Sequence, residues 1–124
     1  MHSIIIVDND SECASALART FAPLDCFEVC ANAETELAAI EETRRYSPNL
    51  IVLGLPLPEA GLTLLVRELK KAAPNALIFL LTNKYDSVVE KRALSMGITA
   101  VFSKFDDYEA LLQNARGLFE TSCA

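Results

Sequence analysis

The sequence predicts a three-layer α/β fold, with a parallel sheet of five strands in the order 2-1-3-4-5 covered by helices on both faces. Three observations carry this prediction. The runs Ile4-Ile5-Ile6-Val7 and Leu50-Ile51-Val52-Leu53 are apolar without alternation, as in strands buried on both sides. Five strand-like segments alternate with five amphipathic ones, which implies right-handed crossovers and a parallel sheet. The 124 residues are 52% hydrophobic, enough for one domain, residues 1–124, with a full core. No apolar run nears the ~20 residues of a membrane span.

The elements follow in order. Residues 3–8 form the first strand, which ends in Asp8. Asp10 or Ser11 caps a helix over 11–21, whose inward stripe is Ala14, Leu17, Ala18 and Phe21. After Pro23, residues 26–30 form a short strand with one outward charge, as at a sheet edge. Asn32 is the expected cap of a helix over 33–45, with Leu37 and Ile40 inward. The central strand, Leu50 to Leu53, lies between Pro48 and Gly54, and a helix from about Leu62 buries Leu62, Leu65, Val66, Leu69 and Ala73. Residues 77–81 form the fourth strand, ending at Thr82. Ser87 with Glu90 fits a capping box opening a helix that stops at Gly97. Residues 100–102 form the fifth strand, with Lys104 just beyond. Asp106 with Glu109 opens the last helix, whose stripe is Tyr108, Leu111, Leu112, Ala115, Leu118 and Phe119.

Charge and composition exclude several function classes. Net charge is −6, and the basic residues are scattered apart from the pairs Arg44-Arg45 and Lys70-Lys71, so direct nucleic-acid binding lacks a footprint. Membrane association has no span to support it. The N-terminus has no basic leader, and Cys13, Cys26, Cys30 and Cys123 have no CxxC spacing, so reduced thiols in a cytoplasmic protein are expected. No nucleophile–base pair or metal cluster is visible, so no enzyme activity and no catalytic residue are expected. Taken singly, the polar residues have plain roles. Gly54 is a turn glycine, Asp8 a strand-end acid, Asp10 a helix cap, Thr82 and Lys104 loop formers, Phe102 core, and His2 an exposed terminal residue.

In a doubly wound sheet of this order, the strand ends converge on one crevice. Asp8, Asn9 and Asp10 follow strand one, Gly54 strand three, Thr82 strand four and Lys104 strand five. Together with Leu55-Pro56-Leu57-Pro58, the stretch Ala93 to Ala100 and Phe102-Ser103-Lys104, this pattern resembles the receiver domain of response regulators, the CheY-like family within the flavodoxin-like folds. The resemblance covers nearly the whole chain. It implies two-component signal transduction, in which an aspartate after strand three accepts a phosphoryl group from a histidine kinase. It implies Mg²⁺ held by that aspartate, an acid after strand one and a loop carbonyl. It gives Thr82 and Lys104 the phosphoryl contacts, and Phe102 the part of an aromatic switch that follows the threonine.

The chain departs from the family at the acceptor. The matching position is Gly54, which has no side chain to phosphorylate, and the second of the paired acids is Asn9. Only Asp8 and the displaced Asp10 remain for Mg²⁺, so the expectation is no metal site, weak or absent Mg²⁺ binding and no cofactor. Lys104 loses its anionic partner and is free to turn to Asp8 or Asp10.

The favoured function is therefore an atypical receiver, a phosphorylation-independent protein–protein interaction or dimerisation module. Family resemblance directs partners, a second copy among them, to helix four, strand five and helix five. An alternative is a phosphorylatable receiver, with the acceptor at another acid such as Asp8 or Asp10, or with Gly54 an engineered change of aspartate. A flavodoxin-like anion binder ranks third, because Asn9-Asp10-Ser11-Glu12 is acidic where a phosphate loop would lie. The chain ends directly after the last helix, which fits either a stand-alone protein or part of a longer regulator.

Overall fold

The computed structural model describes residues 1–104 and 107–119. Strands and helices alternate as β1 (His2–Val7), α1 (Ser11–Phe21), β2 (Phe27–Ala33), α2 (Glu36–Tyr46), β3 (Leu50–Leu53), α3 (Glu59–Ala72), β4 (Leu77–Thr82), α4 (Ser87–Ser95), β5 (Ala100–Ser103) and α5 (Tyr108–Leu118). All pairings are parallel and the order is β2-β1-β3-β4-β5, as the sequence predicts.

Because strand side chains alternate between faces, one sheet builds two cores. Ile5, Val7, Ile51, Leu53, Ile78, Leu80 and Val101 pack against Ala39 of α2, Leu65, Val66 and Leu69 of α3, and Ala93 of α4. Ile4, Ile6, Leu50, Val52, Phe79, Leu81 and Phe102 face Ala14, Leu17 and Phe21 of α1, and Leu111 and Ala115 of α5. Leu50 to Leu53 are fully buried, and each such side chain contributes about 1.5–3 kcal/mol. This double burial removes any polar–apolar alternation from β3.

Several local expectations are corrected. β2 runs on to Ala33 because the β1–β2 register slips between Ile4 and Ile5, passing from Val29 to Ala31 and resuming the ladder. Asn32 therefore lies within β2. The α2 cap is Thr35, whose hydroxyl accepts from the Ala38 N–H at 3.1 Å. That shift rotates the helix, so Ala39 and Thr43 point inward while Leu37 is 65% exposed. α3 begins at Glu59, one turn earlier than expected, with its acid in the first turn favourable to the helix dipole.

α4 is capped by Asp86, which accepts from Val89 N at 2.8 Å, and not by Ser87. It ends at Ser95 with Met96 as its C-cap, and the chain turns away at Gly97, whose φ of +97° suits a residue without Cβ. The α5 cap position is Asp107, whose carboxylate instead accepts from Ser103 N at 2.8 Å and ties the helix to β5. Asp106 lies outside the described residues, and Leu118 is exposed rather than inward. His2 is half-buried, its ring 4.3 Å from that of Phe119 and 5.8 Å from that of Phe27, where an exposed terminus was expected. Cys13 and Cys30 are free thiols, but Cys26 is disulfide-bonded, against the expectation of four reduced cysteines. Cys123 lies outside the described residues.

Candidate functional site

The C-terminal ends of β1, β3 and β5 are held in register because the residue beyond each hydrogen-bonds a neighbouring strand. Asp8 N donates to Ala33 O at 2.9 Å, Gly54 N to Val7 O at 2.7 Å, and Lys104 N to Thr82 O at 3.0 Å. These bonds gather Asp8, Gly54 and Lys104 at one point.

Asp8 and Lys104 meet there. Lys104 Nζ lies 3.3 Å from Asp8 Oδ2, with the two side chains 10% and 0% exposed. The contact is an ion pair rather than an aligned hydrogen bond, since Oδ2 has no hydrogen-bond partner. The other oxygen, Oδ1, accepts the Asp10 N–H at 2.9 Å. A Cβ placed on Gly54 would lie 2.6 Å from Asp8 Oδ2, 3.2 Å from its Cγ and 3.4 Å from Lys104 Cε. The space that a side chain at position 54 would need is therefore filled by the ion pair.

Asp10 is exposed and caps α1, its Oδ1 accepting from Glu12 N at 2.9 Å and Cys13 N at 3.4 Å. The N–H groups of Cys13 and Glu12 hold its carboxyl below the usual carboxylate range. Asn9 is exposed beside it. The Tyr108 hydroxyl and the Cys13 thiol influence each other's titration between α5 and α1. Burial raises the thiol pKa and, with the neighbouring thiol, pushes Tyr108 up to about 12. No sequence signal marked this pair, because its members are distant in the chain.

Thr82 is half-buried, and its hydroxyl accepts from Lys84 N at 3.2 Å, shaping the β4–α4 loop. Phe102 does not join it. Phe102 pairs with Leu81 and stacks 5.2 Å from Phe79 on the α1–α5 side, whereas alternation puts Thr82 on the α3–α4 side. The β5 residues on the threonine's face are Ser103, its registered partner, and Val101. An aromatic that moves with Thr82 is thus not what Phe102 is built to be.

A Mg²⁺ site would have to be assembled from Asp8, Asn9 and Asp10. Asp8 is engaged by Lys104 and the Asp10 N–H, Asp10 by its cap, and Gly54 offers no ligand. No three His, Cys, Asp or Glu side chains converge to hold a metal among the described residues. These donors do not fit a hard dication that takes several oxygen ligands. Outward from Gly54, Thr82 and Lys104, a groove of about 520 Å³ opens between the β3–α3 loop and α4.

The chain is similar to known proteins over nearly its whole length. The family model described as response regulator receiver domain matches residues 4–116. No curated relative matches. A two-component response regulator of the LuxR family from Aurantimonas sp. SI85-9A1 superposes with a TM-score of 0.84 at 21% identity, covering 98% of this chain and 86% of its own. A response regulator from Desulfuromonas acetoxidans gives 0.82 at 17% identity, covering 98% of each chain. The structure of the P1 domain of CheA3 in complex with CheY6 from R. sphaeroides contains a match of 0.78 at 22% identity, over 96% of this chain and 97% of that one.

Proposed function

The chain belongs to the response regulator receiver domain family, and we propose that within it this member is a phosphorylation-independent interaction module of two-component-type signalling. One observation carries the proposal: at the β3 tip stands Gly54, and the volume of its missing side chain is taken by the Asp8–Lys104 pair. With no acceptor there, no acyl phosphate forms at the tip. With Asp8 committed to Lys104, Mg²⁺ binds weakly or not at all, and the domain is not an enzyme. Its two states are not biased by a phosphoryl group, so it presents one surface or answers another input.

Partners are proteins, met in the cytoplasm, and no helix among the described residues is long and apolar enough to cross a membrane. CheA3 P1 in complex with CheY6 is an instance of a protein partner among similar structures. The α4–β5–α5 face is the surface we assign to partners, a second copy included. Val88 and Leu94 of α4 and Leu118 of α5 are each about half exposed, which supports that choice.

Backbone amide spectra recorded with and without Mg²⁺ and beryllofluoride, a phosphoryl mimic, test the proposal. Superimposable spectra are expected. Saturable shifts at Thr82, Val101 and Lys104 would mean that the pocket still takes a phosphoryl group.

A further inference from the structure

The groove beside Gly54 has the chemistry of a ligand site. Its volume, about 520 Å³, falls within the roughly 300–1,000 Å³ of small-molecule pockets. The walls are mainly apolar: Leu57 and Leu62 on one side, Val89 and Met96 on the other, each only partly buried. They leave open an apolar cleft that the core does not close.

The rim is basic on a chain whose net charge is −6. Lys84, Arg92 and Lys104 line it, and Glu59 is the sole acid in the lining among the described residues. Arg92 is bound to Glu59 at 3.3 Å, and Lys104 to Asp8. Lys84 makes no ion pair among the described residues. An apolar cleft whose mouth carries Lys84, without an ion pair among the described residues, is complementary to a carboxylate carried on an apolar body.

We propose that this groove binds a small amphipathic carboxylate, its apolar body between Leu57, Leu62, Val89 and Met96 and its carboxylate at Lys84. Thr82 and Lys104 belong to the same lining, so an occupant would touch the strand tips where the phosphoryl group is missing. Binding itself does not depend on the function proposed above, which is tested by the spectra with beryllofluoride.

The test is a titration of the full chain with sodium octanoate, with octanol as the uncharged comparison, followed by backbone amide shifts. Saturable shifts confined to residues around the groove are expected, with octanol at least about fivefold weaker. Lys84→Glu, at an exposed position, should weaken octanoate about tenfold while leaving octanol unchanged. Val89→Phe, which fills the cleft, should weaken both. Shifts scattered over the surface, or none, overturn the proposal. So does octanoate binding that Lys84→Glu leaves unaltered, provided the variant's spectrum is otherwise native.

Discussion

Lys104 and Asp8 hold each other in a nearly dry place, 3.3 Å apart. Such a pair adds little net stability, since desolvation offsets attraction, but removing one member strands the other. Lys104→Met is therefore expected to cost about 3–5 kcal/mol in denaturant unfolding. The double change Asp8→Asn with Lys104→Met should recover much of that loss. Gly54→Asp brings a second carboxylate against Asp8, where even a Cβ would lie 2.6 Å from Oδ2. It should cost about 1–3 kcal/mol without divalent ions, and Mg²⁺ should restore part of it by bridging the two acids. The melting temperature of the native chain should not respond to Mg²⁺. Asp10 gives a pH dependence. Its carboxyl is held below the usual range by the Cys13 and Glu12 N–H groups, so its stabilisation is complete above the unfolded-state value and fades as pH falls through the folded one. The stability gap between the native chain and Asp10→Ala should narrow below about pH 4.

At the scale of elements, β1, β3 and β4 were legible because continuous apolar runs of that length have one economical solution, burial on both faces. The α2 boundary was not legible. The register slip beyond Val29 is set by pairing with β1, a non-local event that a local cap signal such as Asn32 cannot report. Thr35→Ala should destabilise by about 1 kcal/mol, and Asn32→Ala by much less. The α4 terminus depends on Gly97, where φ is +97° and an added Cβ would meet Lys70 Cε at 2.7 Å. Gly97→Ala should cost about 1–2 kcal/mol, from backbone strain before any side-chain adjustment. The site was legible as a set of strand-end residues, since topology alone brings Asp8, Gly54, Thr82 and Lys104 together. The facing of Phe102 depended on β5 register, and the groove depended on the spacing of α4 from the β3–α3 loop. Neither has a local sequence signature.

For the whole molecule, the two cores and the five-stranded sheet form a receiver fold, and in the function we propose the strand tip at Gly54 is what sets this member apart. A phosphoryl group acts in such a fold by its differential interaction with two states. A chain that cannot accept it loses that bias without losing the fold. Intact mass after incubation with Mg²⁺ and acetyl phosphate tests this most directly. The native chain is predicted to stay at its unmodified mass, because Gly54 offers no carboxylate and Asp8 is committed to Lys104. A gain of about 80 Da, one phosphoryl group, would contradict the account and place an acceptor elsewhere on the chain.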